Sequence, residues 1–160
     1  MHKHTMSSPI GTLTLVEAEG ALAGIYFEGH KPAPRGVEAL PVAASAVLRD
    51  TEAMIETYFQ RPNSRANVTI PRRGTELQRA VWSALLDIPP SQTISYAELA
   101  RRVGKPRAVR AVAQAVARNP LSIVVPCHRV VGSDGSTTGY AGGVARKEWL
   151  LAHERNAARS

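Results

Sequence analysis

The sequence predicts a mixed α/β (α+β) fold, with a β-rich first part and a mostly helical second part. Three observations carry this expectation. Strand-like alternation is concentrated in the first third, four segments with helix start and stop signals fill the second half, and Pro71-Arg72-Arg73-Gly74 separates the two. The expected division is 1–73 and 74–160. At 160 residues, with 44% apolar and 21% charged content, the chain can bury a real core and has the composition of an ordinary globular protein.

Taken in order, Thr12-Leu13-Thr14-Leu15-Val16 alternates, Glu17–Gly20 offers turn chemistry and Leu22–Phe27 answers as a second strand, which predicts a hairpin. His30–Gly36 is a Pro/Gly-rich loop. Positions 44, 47, 48, 51, 54, 55 and 58 keep helical spacing, with Thr51 the weakest member, and Pro62 closes that helix. Val68-Thr69-Ile70 predicts one more strand. His2, His4 and His30 are scattered, without thiol or acidic partners in sequence, and read as surface residues rather than metal ligands.

Beyond the boundary, Thr75-x-x-Gln78 fits a capping box and opens a helix through Leu86, which Pro89-Pro90 ends. Ser95-x-x-Glu98 opens another from Tyr96 to about Arg102. Val103-Gly104-Lys105 turns the chain, and Pro106 suits the first position of a helix that runs to Arg118 and stops at Asn119-Pro120. Gly132–Ser136 predicts a tight turn forming a hairpin wing, and a last helix carries Arg146–Glu154.

Charge separates the two parts further. The net charge is +7, yet residues 1–74 carry eight Lys/Arg against seven Asp/Glu, and residues 75–160 carry twelve against six. Within 101–118 there are six basic residues and no acid, an electrostatic footprint for a polyanion. The helix from Pro106 sorts its faces: Val109, Val112, Ala113 and Val116 on one, Arg107, Arg110, Gln114 and Arg118 on the other. Two short helices joined by a glycine-containing turn, the second one basic, describe a helix-turn-helix suited to DNA.

Cys127 is the only cysteine, which excludes an internal disulfide. No apolar stretch approaches a membrane span and the opening residues form no signal sequence, so the expectation is a cytoplasmic, reducing location with no membrane partner. A thiol beside an imidazole is a candidate nucleophile, with His128 as base and a downstream carboxylate, Glu154 or Glu148, as its orienter. If Glu148 faces solvent with Lys147, Glu154 lies nearly two turns on and faces inward.

Pro126-Cys127-His128-Arg129-Val130, Arg110-Ala111-Val112, Asn119-Pro120, Gly142-Gly143 and Lys147-Glu148-Trp149-Leu150-Leu151 together resemble the O6-alkylguanine-DNA alkyltransferases, in register from about Gly74 to Glu154. The first half resembles them only through Ser8-Pro9-Ile10-Gly11 and its general size. The resemblance implies a ribonuclease-H-like α/β domain followed by a winged helix-turn-helix domain. It implies transfer of an alkyl group from O6 of a flipped guanine in duplex DNA to Cys127, once per molecule. By motif position, His128 resembles the water-mediated base, Glu154 its carboxylate partner, and Asn119 the residue ordering that water and the cysteine loop. Tyr96 resembles the phenol that donates to the purine, and Arg110 the finger that fills the vacated stack. Ala97, Lys105, Arg107, Gln114 and Ser133 fall at DNA-contacting positions, while Val130, Tyr140, Ala141 and Gly142 line the pocket. The implied partner is double-stranded DNA through its minor groove with little sequence preference, bound by a monomer with or without cooperativity. No cofactor and no structural zinc are implied. Ala113 and Ala141 depart from the family pattern, where glycine and, in some members, serine stand. Two rivals remain at this level: a Cys-His-Glu thiol hydrolase, and a lesion-binding module without catalysis.

Overall fold

Leu13 and Leu15, and likewise Ile25 and Phe27, are buried residues two positions apart, so two strands can each turn an apolar edge to the core. In a computed structural model, which describes residues 1–64 and 67–159, they form β2 (Leu13–Ala18) and β3 (Ala21–Phe27), antiparallel, with Leu15 opposite Ile25. Glu19 (φ 53°) and Gly20 (φ 77°) both adopt the left-handed conformation that a two-residue hairpin needs. A further strand, β1 (His2–Met6), pairs antiparallel with β2 to complete the sheet order β1-β2-β3. Its sequence has no apolar alternation, so pattern reading passes over it. Ladder bonds hold it, and only Met6 is buried.

The histidines correct the expectation of unpartnered surface residues. His2 pairs with Glu17 at 3.0 Å and His4 with Glu52 at 2.9 Å, while His30 is buried against the rings of Tyr26 and Phe27. Helix α1 (Ala46–Gln60) starts where Ser45 accepts from the Leu48 amide and buries Leu48, Thr51, Ile55 and Tyr58 along one face. Thr51 tolerates burial because its hydroxyl donates to the Val47 carbonyl at 2.8 Å. The strand expected at Val68–Ile70 does not form. Both edges of the sheet are already engaged: Lys3 exchanges backbone hydrogen bonds with Pro41 and Ala43, and Ile25 donates to the Pro120 carbonyl at 2.8 Å. Val68 and Ile70 therefore lean on the core as irregular chain.

In the second half, α2 (Glu76–Leu85) opens on the expected reciprocal capping box of Thr75 and Gln78. Helix α3 (Tyr96–Arg102) is capped by Ser95 and ends at Gly104 (φ 76°), where the Lys105 amide reaches back to the Ala100 carbonyl. Helix α4 spans Val109–Ala117, three residues later than expected from Pro106. A turn closed by the Ala108 amide on the Lys105 carbonyl holds Pro106 and Arg107 outside it. Val112, Ala115 and Val116 are its buried residues, whereas Val109 and Ala113 are only partly covered. The hairpin pairing expected around Gly132–Ser136 is also corrected. The turn at Gly132–Ser136 forms, but β5 (Val130–Val131) pairs in parallel with β4 (Ile94–Ser95). Helix α5 (Val144–Ala158) closes the fold. One apolar core runs from Leu13, Leu15 and Ile25 through Trp82, Leu85 and Val112 to Leu150, with no break between the halves. Among the described residues, no helix is long and apolar enough to cross a membrane.

Candidate active site

The approach to Cys127 is a run of very tight turns. The Val124 amide bonds to the Ser122 carbonyl around Ile123, and the Cys127 amide bonds to the Val125 carbonyl around Pro126. These are three-residue turns of opposite hand, with φ 75° at Ile123 and φ −82° at Pro126. A β-branched residue at positive φ is strained, so something must over-determine the path. Asn119 does so from within. Its Nδ2 donates to the Val125 carbonyl at 2.9 Å, and its Oδ1 accepts from the Leu121 amide at 3.0 Å. Cys127 then opens one turn of 3-10 helix, Cys127–Arg129, whose three side chains are all buried.

Below that turn lies a carboxylate with an unusual number of donors. Glu154 Oε2 accepts from His128 Nε2 at 2.6 Å, Tyr58 Oη at 2.6 Å and Arg129 Nη2 at 3.1 Å. Its Oε1 accepts from Arg129 Nε at 2.9 Å and the Ser91 amide at 3.1 Å. Glu154 and His128 are both 0% exposed. Burial by itself would raise the Glu154 carboxyl, but the hydrogen bonds from His128 and Arg129 and the charge of Arg129 override it and hold the group well below the usual range. Burial lowers His128, and the neighbouring carboxylate only partly opposes this, so the imidazole is neutral at pH 7. An ionised carboxylate only accepts, so the ring proton sits on Nε2 and the lone pair on Nδ1. Among the described residues Nδ1 has no hydrogen-bond partner. That is the state a general base requires.

The thiol has its own counter-charge. Burial pushes Cys127 up, opposed by the Asn119 amide, the Lys147 ammonium and its own backbone. Lys147 is 1% exposed, which corrects the expectation that it faces solvent with Glu148; only Glu148 is exposed. Its Nζ lies 5.8 Å from the Tyr96 ring centroid and 3.4 Å from the Thr138 carbonyl. Tyr96 is half-buried, with its phenol raised by burial and then by the thiol's charge.

The wall beyond Tyr96 is the 139–143 loop, and the first half of the chain braces it. Tyr140 packs on Phe27 with ring centroids 5.8 Å apart, and the Lys31 amide donates to the Ala141 carbonyl at 2.9 Å. Gly142 lies so close to Phe27 that an added Cβ would come within 2.5 Å of that ring. Arg146 crosses between the halves, donating to the carbonyls of Ile10, Glu28 and Gly142.

A family model described as the DNA-binding domain of 6-O-methylguanine DNA methyltransferase matches residues 76–156. A methylated-DNA–protein-cysteine methyltransferase of Mycolicibacterium paratuberculosis is 41% identical over 153 residues, covering 94% of this chain and 90% of its own. The chain belongs to this methyltransferase family. A second member, from Methanosarcina barkeri, is 40% identical and covers 98% of both chains. In three dimensions the chain is similar to a crystal structure of Mycobacterium tuberculosis OGT in complex with DNA, with TM-score 0.88, 37% identity, and coverage of 98% of this chain and 94% of the other.

Set against that family, the candidate residues fall into two groups. Cys127, His128, Glu154, Asn119, Val130, Tyr140 and Gly142 are buried, with Tyr96 and Ala141 at the edge. Ala97, Lys105, Arg107, Arg110, Gln114 and Ser133 are exposed, on or beside α3, α4 and the Gly132–Ser136 turn. Sequence reasoning missed Lys147, Tyr58, Arg129 and Ser91. Lys147 was findable. It lies seven residues from Glu154, two helical turns, so the spacing that turns one inward turns the other inward too. Ser91 contributes only a backbone amide, from a residue at φ 67°, and has no sequence signal.

Proposed function

We propose that Cys127 is the acceptor in direct reversal of O6-alkylguanine damage, and that the carboxylate–imidazole pair beneath it is the base. The observation that carries this is the buried neutral His128, its Nε2 held by Glu154 and its Nδ1 without a hydrogen-bond partner among the described residues, next in the chain to the only thiol. The thiol proton passes to Nδ1, directly or through a water. The thiolate attacks the alkyl carbon in line, the S–C bond forms as the C–O6 bond breaks, and the electron pair leaves on guanine. The Tyr96 phenol donates a hydrogen bond to the purine as that charge develops, and guanine then takes a proton at N1 from solvent while Nδ1 gives up its own, which leaves His128 and Tyr96 as they began. Lys147 offsets the charge that develops on sulfur. The target carbon is saturated, so no oxyanion hole for a tetrahedral intermediate is needed. The thioether product has no leaving group at neutral pH, so each molecule reacts once.

The substrate is duplex DNA with the damaged base flipped out. The exposed face of α4 offers Arg110, Gln114 and Arg118, and the α3–turn–α4 unit acts as a helix-turn-helix with the Gly132–Ser136 turn as its wing. Arg110 fills the gap in the stack. Residues 1–73 serve as a ribonuclease-H-like support for the reactive half, 74–160, a reading favoured by the antiparallel sheet backed by α1. A single free cysteine suits a reducing, cytoplasmic setting.

The decisive measurement is intact mass after incubation with excess O6-methylguanine duplex, beside Cys127→Ala. The expected result is one added methyl per chain, saturating, and none in the variant. A folded wild type that binds the duplex without gaining mass would overturn the reading in favour of a lesion-binding module.

A further inference from the structure

Glu154 has more partners than an orienting carboxylate needs, and one of them comes from the other half of the molecule. Tyr58 lies 96 residues earlier, in the last turn of α1, on the face that buries Leu48, Thr51 and Ile55. Its Oη reaches Glu154 Oε2 at 2.6 Å, the same oxygen at the same distance as His128 Nε2. The ring is fixed edge-on against His128 at 6.4 Å and against Phe59 at 5.3 Å. Burial, reinforced by the Glu154 charge, keeps the phenol protonated, so it donates at any pH at which the protein functions.

We propose that Tyr58 is a positioning residue for alkyl transfer: its phenol locks the Glu154 oxygen that orients His128, so the first half of the chain completes the site. The inference rests on the reading of Cys127, His128 and Glu154 given above. Arg129 bridges both oxygens, Nε to Oε1 at 2.9 Å and Nη2 to Oε2 at 3.1 Å, and the Ser91 amide holds Oε1; without the Tyr58 phenol, Oε2 keeps only the longer Arg129 bond beside that of His128, and the carboxylate can shift. That shift would take with it the bond that keeps the proton on Nε2 and the lone pair on Nδ1. Tyr58 also draws negative charge away from the imidazole and helps keep it neutral. The other charged or titratable groups facing these residues are Arg129, from the same turn, Lys147, from α5, and His153, also from α5, whose ring meets that of Tyr58 at 6.0 Å; Arg129 and Lys147 both oppose protonation of His128 as well.

Tyr58→Phe tests this, because it removes one hydroxyl and keeps the ring packing. The readout is the pH dependence of alkyl transfer from free O6-benzylguanine to Cys127, followed by intact mass, so that no DNA contact enters. The expected result is a several-fold slower plateau and an acidic limb moved up by roughly half a pH unit, as the carboxylate's charge falls more fully on His128. A fluorinated tyrosine at 58, a stronger donor, should move the limb the other way. A Tyr58→Phe protein that melts earlier but has the wild-type rate and profile would overturn the proposal, leaving Tyr58 a packing residue. If Tyr58→Phe does not fold, the fluorinated protein decides alone, and an unmoved limb overturns the proposal. His128→Gln runs beside them. Wild-type transfer by that variant would sink the base reading itself, whatever Tyr58 does.

Discussion

The inner edge of the amino-terminal sheet is Leu13, Leu15, Ile25 and Phe27, all hydrocarbon; the inner face of α5 is Lys147, Leu150, Leu151 and Glu154, half of it charged. Both faces are equally dry, yet they are stabilised in opposite ways. Burying Leu15 is favourable by itself, by about 25 cal/mol per Å² of apolar surface. Burying Lys147 or Glu154 costs several kcal/mol per ion before any partner is counted. The first face therefore holds the fold together, and the second is held by it. Three braces run from the first half of the chain to the second: Ile25 to Pro120 beside Asn119, Lys31 and Phe27 to the 139–143 loop, and Tyr58 to Glu154. A charged helix face kept at such a cost marks chemistry rather than stability.

The comparison can be broken most forcefully at Glu154. Glu154→Gln should cost roughly 3–5 kcal/mol, because Arg129 is left buried without its counter-charge, and should abolish fast alkyl transfer. Leu15→Ala should cost a similar 2–5 kcal/mol through its cavity but leave transfer by the folded fraction unchanged. Urea melts and O6-benzylguanine kinetics on both variants check this; equal loss of transfer in Leu15→Ala would erase the distinction. Lys147→Met is expected to separate stability from function. Removing a buried charge while keeping the stem should leave stability unchanged or raise it by about 1–4 kcal/mol. Transfer at pH 7 should nevertheless fall several-fold, with the basic side of the profile moving up, because the thiol loses the ammonium that favours its charged form.

Acid should find the same face. His128 and Glu154 both have folded-state values below their unfolded ones, so each contributes stability that is present above the unfolded value and lost as pH falls. Stability is expected to be level above about pH 6.5, to decline below it as His128 in the unfolded chain takes up a proton that the folded site resists, and to decline again below about pH 4.5 as Glu154 in the unfolded chain does the same. Urea midpoints at pH 8, 6 and 4 would check the two steps. A midpoint unchanged between pH 8 and 6 but lower at pH 4 would assign the acid sensitivity to the carboxylate alone.

Local rules made much of this molecule readable in its sequence. The Glu19-Gly20 hairpin, the helix carrying Tyr58 and both capped helices follow from alternation, spacing and capping, whereas spacing left Glu148 and Glu154 both open beside Cys127 and His128, and only the family resemblance chose Glu154. What escaped was decided at a distance. His2–Met6 is a strand because β2 offers it an edge, and Val68–Ile70 is not one because no edge is left. Val130–Val131 pairs in parallel with Ile94–Ser95, a partnership 36 residues apart that no turn signal encodes. Tyr58 was legible as a core residue, but its hydroxyl's partner was not, since periodicity identifies a face and never what lies opposite.

The smallest expected effect probes whether local signals matter where they were read most easily. Thr75 and Gln78 satisfy each other's backbone amides at the start of α2, the Thr75 hydroxyl accepting at 3.1 Å and the Gln78 carbonyl at 2.9 Å. Thr75 is exposed and Gln78 only partly covered, so water can replace what either loses, and Thr75→Ala should cost only about 1 kcal/mol. Ser95 caps α3 in the same way, at 3.0 Å, but its helix begins with Tyr96. Ser95→Ala should therefore cost the same in a urea melt and, unlike Thr75→Ala, also slow alkyl transfer by several-fold, because fraying the first turn of α3 moves a phenol that must meet the purine. If the two caps prove equal in both assays, Tyr96 is held by its packing near Lys147 and Gly139 rather than by its helix.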